Sequence, residues 1–211
     1  MMKLHMFPFA PNPAKVRLYL AEKAELGCEI PLEEVTVNLL ESEQKSEAFL
    51  AKNPLGALPV LELDDGTCLS ESLPIIEFFE AIHPMPSMWG DDPVRVAYAR
   101  QIERIADLGV LINTARQIHT SNSPLGLPAN PPVSEYHAER RENAVAHLER
   151  EMADGRPFLA GDRPTVGDCT LQAILQFARF REIDVLENAP RLQAWCERYR
   201  ERPAARKTIL L

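Results

Sequence analysis

Residues 55–62, with the sequence LGALPVLE, constrain the fold of this chain more than any other segment. The aliphatic run has the composition of a buried strand, but Pro59 has no N–H to give to a sheet ladder. A proline at the first residue of a strand, after a glycine-containing loop, predicts a kinked entry through a cis Leu58–Pro59 peptide bond. In that geometry the N–H and C=O of Leu58 would face outward, free to pair with the backbone of a bound peptide.

A tight turn and a helix with a polar start follow this strand. Asp65-Gly66 is typical of a hairpin turn, and Ser72 is expected to be the N-cap of a helix. The apolar face of that helix is predicted to contain Leu73, Ile76, Phe79 and Ile82. Glu71 stands beside the helix N-terminus, whose unpaired N–H groups attract anions. The chain thus combines an unpaired backbone edge with a polar helix start.

The first 82 residues read as an α/β unit of thioredoxin type. A strand at 4–7 stops at Pro8, and a helix opens at Asn12-Pro13, with Asn12 as its N-cap and proline in its first turn. A second strand is expected at 34–37, so the chain begins β-α-β. The charged segment 41–52 is expected to hold only a short helix before the hairpin.

Beyond residue 82 the pattern changes to helices only. Residues 83–92 are rich in proline, glycine and aspartate, and are predicted to be an interdomain linker. Apolar residues then recur at helical spacing over 94–119, around 145–152 and over 192–199. Another helix opens at Thr165–Asp168, a capping box with aspartate at its fourth position. We therefore predict domains at 1–82 and 93–211, and interpret the proline-rich stretch 124–132 as an exposed connector in preference to a lid.

The bulk properties exclude several classes of function. A net charge of −8 and a pI near 5.2 oppose a nucleic-acid partner, and no apolar run approaches the ~20 residues that span a membrane. The N-terminal residues are interrupted by proline too early for a signal peptide. Four widely scattered cysteines argue against a metal site, a dithiol centre and a disulfide scaffold. We expect a cytoplasmic protein without a metal.

The strand-entering proline, the hairpin and the Glu71-Ser72 pair resemble the glutathione-binding half of the glutathione transferase superfamily, of the bacterial theta- or nu-like type. The resemblance covers almost the whole chain and implies a thioredoxin-like α/β N-terminal domain followed by an all-α C-terminal domain. It also implies a homodimer that binds glutathione as co-substrate and conjugates its thiol to small hydrophobic electrophiles, in detoxification. Thr165 and Asp168 resemble the folding cap of the family's helical domain, which implies a structural role for both.

The resemblance also implies which residues contact glutathione. Glu71 and Ser72 would grip its γ-glutamyl end, and Leu58, before Pro59, would pair with its cysteinyl backbone. The remaining glutathione-binding and electrophile-pocket candidates lie in the charged segment, the first turn and the long helix after the linker. They are Gln44, Lys45 and Lys52 for the glycine carboxylate, Phe9 for both sites, and Arg116 and His119 for the electrophile. A solvent-exposed stretch of charged and polar residues would explain Gln44, Lys45 and Lys52 equally well. Packing or surface positions would explain the others.

The chain departs from the family where a thiol-activating serine is expected. In the segment Ala10-Pro11-Asn12, alanine stands at that position, and it has no hydroxyl to donate to sulfur. Asn12 remains as the candidate catalytic donor, alongside the backbone amides of the turn and the dipole of the first helix. Two alternatives stay open: a glutathione-dependent peroxide or disulfide reductase that uses the sulfur of glutathione itself, and a non-catalytic glutathione-binding or interaction module.

Overall fold

The computed structural model describes residues 1–210. The N-terminal part contains four strands, three helices and two short 3₁₀ turns, at 39–41 and 43–45. In chain order these elements are β1 (Lys3–Met6), α1 (Pro11–Glu25), β2 (Glu33–Thr36), α2 (Glu47–Leu50), β3 (Val60–Glu62), β4 (Cys68–Ser70) and α3 (Ser72–Ile82). The elements follow the order that the sequence predicted, with strand bounds shifted by a residue or two.

The four strands form one mixed sheet in the order β2-β1-β3-β4. β1 runs parallel to β2, as the helical crossover α1 requires. β3 is antiparallel to β1 and to β4, and Gly66, at φ 87°, occupies the turn that joins β3 to β4. This arrangement, with the helical part that follows it, confirms the predicted thioredoxin-like domain joined to an all-α domain.

Two predicted helix caps are wrong. α1 begins at Pro11, so Ala10 is its N-cap and Asn12 lies within its first turn. α3 begins at Ser72, so Glu71 is its N-cap, and it forms no side-chain cap. In both cases the helix starts earlier than the capping residue suggests, because Pro11 already has helical φ and Glu71 turns the backbone sharply. The side chains of Asn12 and Ser72 therefore do not cap the helices in which they lie.

The buried face of α3 also differs from the prediction. Ile75, Ile76 and Phe79 are fully buried, whereas Leu73 is half-buried and Ile82 is 46% exposed. The buried face is centred on Ile75, Ile76 and Phe79, because the middle turns of α3 are the part that packs in the core beside α1. Ile82 lies at the last turn, beside residues 83–92.

The C-terminal part is helical throughout. Its α-helices are α4 (Pro93–Arg104), α5 (Ile112–Ser121), α6 (Pro131–Glu151), α7 (Val166–Phe180), α8 (Pro190–Arg200) and α9 (Pro203–Thr208). α3 ends and α4 begins on either side of residues 83–92, but the hydrophobic core is continuous across that segment. The division of the chain into domains at these residues stays a prediction.

A π-helical segment, Ile105–Leu111, joins α4 to α5 in place of the single regular helix that the sequence predicts. The Asn113 side chain donates to the carbonyls of Leu108 and Gly109, both at 2.8 Å, and so satisfies groups that the widened turn leaves open. Gly109 packs against α6 so closely that a Cβ there would lie 2.6 Å from the Cβ of Ala144.

The predicted capping box at the start of α7 is confirmed, and its carboxylate accepts four hydrogen bonds. Asp168 Oδ2 accepts from the Thr165 N–H at 2.8 Å and from its hydroxyl at 3.0 Å. Asp168 Oδ1 accepts from the Leu159 N–H at 3.0 Å and from Trp195 Nε1 at 2.8 Å. The carboxylate is fully buried, and through it α7, α8 and the loop before α7 are held together.

Helix α1 carries three fully buried charges along the face that contacts the rest of the protein. Lys15 Nζ lies 2.5 Å from Glu103 Oε1 on α4, and Glu22 Oε2 accepts from Arg202 at 2.6 Å. Lys23 Nζ lies 2.9 Å from Glu80 Oε1 on α3. These contacts fix α1, and with it the turn that precedes α1, against both parts of the chain.

Candidate active site

The predicted binding residues meet at one edge of the sheet. Val60, directly after Pro59, is paired with His5 of β1 and with Ser70 of β4. The entry to β3, the exit from β4 and the exit from β1 are therefore neighbours. This places Leu58–Pro59, Glu71–Ser72 and the turn before α1 around a common opening.

Leu58 presents an unused backbone at this edge. The Leu58–Pro59 peptide bond is cis, which confirms the prediction. Leu58 is half-buried, and within residues 1–210 neither its N–H nor its C=O has a hydrogen-bond partner. Pro59 itself is buried. A peptide-like ligand could thus add one antiparallel backbone pair at Leu58, as an extended peptide does at an open sheet edge.

Glu71 holds an exposed carboxylate at the start of α3 in an unusual backbone conformation. Its φ is 72° and its ψ 126°, which a residue other than glycine rarely adopts. Such a conformation costs about 1–3 kcal/mol and occurs preferentially at binding and catalytic sites. The Glu71 carbonyl still accepts from Ile75, so the strain is held between β4 and the first turn of α3. A cationic group is the natural ligand of this carboxylate.

Ser72 and Asn12 connect the starts of two helices. The buried Ser72 hydroxyl donates to Asn12 Oδ1 at 3.4 Å, a long hydrogen bond. Because the Asn12 oxygen is the acceptor, its Nδ2 remains available as a donor. The two residues are 60 positions apart in sequence, and the structure brings together the two candidate sites that the sequence treated separately.

The first turn of α1 offers few donors besides Asn12. Pro11 and Pro13 have no N–H. The Ala10 N–H donates to the Phe7 carbonyl at 3.0 Å, and the Ala14 N–H donates to the Ala10 carbonyl at 3.1 Å. In the part of the chain that the structure describes, the Asn12 N–H and the Asn12 side-chain amide are the free donors of this turn.

The candidates for the glycine carboxylate have different surroundings. Gln44 is buried beside the loop before Leu58, since a Cβ at Gly56 would lie 3.0 Å from the Gln44 carbonyl. Its side-chain oxygen has no partner among residues 1–210. Lys45, the next residue, is exposed. Both are within the segment that borders the Leu58 edge.

Lys52, in contrast, is already paired. Its Nζ lies 2.7 Å from Glu62 Oε2, which also contacts His5 Nε2 at 2.8 Å. Hydrogen bonds from Lys52 and then His5 lower the pKa of Glu62 to about 2. The Lys52 charge is therefore compensated within the protein by Glu62 of β3.

An apolar cavity of about 160 Å³ adjoins the first turn of α1, between the two parts of the chain. Its walls come from the turn after β1, the 3₁₀ turn after β2, the end of α5 with the loop behind it, and the last turns of α7. The lining residues are Phe7, Phe9, Ala10, Pro11, Leu39, Leu40, His119, Pro124, Leu125, Phe177 and Phe180. The cavity opens beside the position where serine was expected and alanine is found.

His119 is the titratable side chain of this cavity, and Arg116 lies outside its lining. His119 Nδ1 is 3.0 Å from the Ser123 hydroxyl, and its ring is tilted against Phe177 at 6.0 Å between centroids. Burial, and then the nearby charge of Arg181, lower the pKa of His119. Both effects favour the neutral imidazole over the charged one. Arg116 is exposed on α5, so only Phe9 and His119 of the predicted electrophile residues reach the cavity.

Sequence reasoning missed most of the cavity walls. Leu39-Leu40 is an apolar pair inside a polar segment, and this was a usable signal. Phe177 and Phe180 fall one turn apart on α7, but they read as ordinary core residues. Pro124 and Leu125 line the cavity although the stretch 124–132 was interpreted as a connector, while residues 126–132 are indeed exposed.

The comparisons with known proteins agree with this geometry. The profile described as "Glutathione S-transferase, N-terminal domain" matches residues 4–87, and that of the C-terminal domain matches residues 96–198. Glutathione S-transferase 2 of Saccharomyces cerevisiae is 34% identical over 209 residues, covering 96% of this chain and 87% of the yeast protein. The chain belongs to the glutathione S-transferase family.

Solved structures show the same fold over the full length. The crystal structure of yeast Gtt2 superposes with a TM-score of 0.87 at 31% identity, covering 98% of this chain and 99% of that one. A glutathione S-transferase of Methylobacterium radiotolerans in complex with glutathione sulfonate superposes with a TM-score of 0.80 at 27% identity, covering 99% and 94%. The bound glutathione sulfonate belongs to the Methylobacterium radiotolerans structure.

Proposed function

We propose that the protein binds reduced glutathione and conjugates its thiol to small hydrophobic electrophiles. One observation carries the proposal: the open backbone of Leu58, the Glu71–Ser72 helix start and the Asn12 amide surround one opening, and an apolar cavity adjoins it. A peptide with two charged ends fits the polar edge, and an uncharged electrophile fits the cavity. Family membership supports glutathione as the peptide.

Each end of glutathione has a suitable group in this arrangement. The Glu71 carboxylate would accept from the γ-glutamyl ammonium, and the N–H of Ser72 at the start of α3 would donate to the γ-glutamyl carboxylate. Leu58 would pair with the cysteinyl N–H and C=O. Gln44 and Lys45 would meet the glycine carboxylate. The cysteinyl sulfur would then lie between the first turn of α1 and the cavity.

The reaction is a displacement or an addition at the electrophile. The bound thiol releases its proton to solvent, and the thiolate sulfur forms a bond to the electrophilic carbon. In a displacement, the leaving group departs with the electron pair of the bond that breaks. In an addition, the π electron pair of the activated double bond moves away from the attacked carbon, and the resulting anion takes up a proton from solvent. The protein would contribute by stabilising the thiolate through Asn12 and by holding the carbon near the sulfur.

The homodimer, the cytoplasmic compartment and a role in detoxification rest on family membership and belong to this proposal. Within residues 1–210 no helix is long and apolar enough to cross a membrane.

Glutathione binding tests the proposal directly. Replacing Glu71 with alanine removes a charge-assisted hydrogen bond, and this should weaken glutathione binding by about 1.5–3 kcal/mol, or roughly 10–150-fold. Isothermal titration calorimetry measures the effect. Glu71→Gln keeps the acceptor atom without the charge and should give an intermediate affinity. An intact wild-type fold that binds no glutathione at millimolar concentration would falsify the proposed function.

The pKa of the bound thiol distinguishes an enzyme from a non-catalytic binding module. The binding module is a second candidate because Ala10 lacks the hydroxyl that would activate the thiol. We expect Asn12→Ala to raise the pKa of the bound thiol by about 1 unit, because one donor to the thiolate is lost. We expect Ala10→Ser to lower it by a similar amount, because the new hydroxyl faces the cavity edge. Thiolate absorbance followed against pH with bound glutathione measures both changes.

Melting temperatures serve as the control for these two variants, since Asn12 is not a helix cap and its loss should leave the fold intact. If the thiol pKa is the same in the wild type and both variants, the side-chain amide has no part in activation. Activation would then come from the Asn12 N–H and the dipole of α1. A wild-type thiol pKa at the ordinary value of about 8.5 would favour the binding module.

A further inference from the structure

The cavity has the size of one aromatic ring, and this bears on which electrophiles it admits. Its volume is about 160 Å³. An apolar protein cavity of about 150 Å³ is known to hold benzene. A second fused ring would therefore have to displace part of the wall or remain in solvent. Of the lining residues Phe177 belongs to the buried core, and the others are partly or largely exposed.

Three side chains of the wall are exposed at the protein surface, namely Leu40, Leu125 and Phe180. Phe180 is the last residue of α7 and is 42% exposed, and of the three it is the aromatic one. Its ring stacks on Phe9, with 5.1 Å between centroids and an interplanar angle of 27°. Phe9 belongs to the turn before α1, so the pair forms a section of the cavity wall that joins the two parts of the chain.

A second contact holds the Phe180 ring in place. The Arg181 guanidinium lies 5.7 Å from the centre of the ring, and Arg181 Nη2 donates to the Asn122 carbonyl at 2.7 Å. Arg181 thereby links the end of α7 to the loop that contributes Pro124 and Leu125 to the cavity. The ring is held by Phe9 and Arg181, and it does not behave as a free surface side chain.

We propose that Phe180, held against Phe9, is the specificity-determining residue of the site and restricts conjugation to uncharged electrophiles with a single ring or of comparable size. This proposal rests on the proposed function and adds the substrate class. Electron-poor rings suit the site best, because their positive faces complement the negative faces of the phenylalanine rings. A charged electrophile is excluded, because its charge would lose hydration among apolar walls without a compensating partner.

A matched pair of substrates tests the size limit. 1-Chloro-2,4-dinitrobenzene and 1-chloro-2,4-dinitronaphthalene share the leaving group and the activating nitro groups, and they differ by one fused ring. In both, thiolate sulfur replaces chloride, which leaves with its bonding electrons. The ratio of kcat/KM for the one-ring to the two-ring substrate, corrected for the uncatalysed rates, should exceed about tenfold in the wild type, as expected for a misfit in an apolar pocket.

Phe180 variants should change the activity with the two substrates according to the size of the new side chain. Phe180→Ala opens the wall and should bring the ratio within about twofold of unity. Phe180→Leu should give an intermediate ratio, and it serves if the alanine variant is unstable. Phe180→Trp should reduce kcat/KM for the one-ring substrate as well. Phe78→Ala, which truncates a half-buried phenylalanine of α3 outside the cavity, should leave the ratio unchanged.

A binding measurement separates this proposal from the proposed function. The two reaction products, S-(2,4-dinitrophenyl)glutathione and its dinitronaphthyl counterpart, should show the same preference in calorimetry, without any need for turnover. If glutathione binds but the preference is absent, or is unaltered in Phe180→Ala, the role of Phe180 is wrong and the proposed function stands. If glutathione does not bind at all, both proposals are wrong.

Discussion

Asp168→Ala should destabilise the protein by about 3–5 kcal/mol. The side chain is fully buried and accepts four hydrogen bonds. Its removal leaves the Leu159 N–H, the Thr165 N–H and Trp195 Nε1 buried without an acceptor, and each such group costs about 1–3 kcal/mol. For a chain of this size the melting temperature should fall by roughly 6–20 °C. Thermal unfolding followed by circular dichroism measures the change.

An exposed aspartate of the same loop provides the control for this variant. Asp162→Ala removes a carboxylate without a hydrogen-bond partner in the described chain, and should change stability by less than about 0.5 kcal/mol. Glutathione affinity of the folded Asp168→Ala protein should match the wild type, because Asp168 belongs to the packing of α7 and α8. A variant that melts like the wild type but loses glutathione binding would show that this structural assignment is wrong.

Asp168 also predicts how wild-type stability depends on pH. Burial raises its pKa to about 6 from an ordinary value of 3.8, although four donors oppose the shift. Because the folded protein retains this proton to a higher pH than the unfolded chain, the associated stabilisation is complete below about pH 4. It is lost as the pH rises through about 6. The corresponding slope should be missing in Asp168→Ala.

Glu103→Ala should destabilise the protein by about 3–5 kcal/mol as well, for a different reason. Lys15 and Glu103 are both fully buried, and removing Glu103 leaves the buried Lys15 charge without its nearest partner. Thr170, whose hydroxyl donates to Glu103 Oε1 at 3.3 Å, would lose an acceptor too. Asp107, at 3.5 Å from Lys15 Nζ, would remain as the nearest carboxylate. Urea unfolding gives the free-energy difference.

A surface ion pair between the same two parts of the chain is the matched control. Glu77 on α3 contacts Arg100 on α4 at 2.7 Å, but the two side chains are 34% and 48% exposed. Glu77→Ala should therefore cost less than about 1 kcal/mol. The double variant Lys15→Met with Glu103→Leu should recover much of the stability lost by Glu103→Ala, since no charge is then buried alone. Equal losses in the buried and exposed variants would contradict this account.

Local chemistry made much of the fold predictable. The cis bond before Pro59, the Asp65-Gly66 turn and the capping box at Thr165–Asp168 each depend on a few adjacent residues, and the structure contains all three. Asn12 and Ser72 show the limit of such reasoning. Both have the side chain of a helix cap, yet their hydrogen bond is to each other across 60 residues.

The remaining features depend on neighbours that are distant in sequence. No pattern near Lys15 or Glu22 in the sequence predicts that their partners are Glu103 and Arg202. The π-helical turn likewise depends on the Asn113 amide reaching back to two carbonyls. The cavity walls come from four separate segments, so no single pattern could define them.

Helix α1 is held in place by residues after its first turn, and not by the residue at its N-terminus. Lys15, Glu22 and Lys23 hold the helix from its buried side, whereas Ala10 contributes no side-chain cap. In the proposed binding mode, a change at position 10 would therefore alter the chemistry at the sulfur without loosening the helix that presents it. Serine and alanine would then be interchangeable there at little structural cost, so the group that activates the thiol and the scaffold that carries it could be engineered separately.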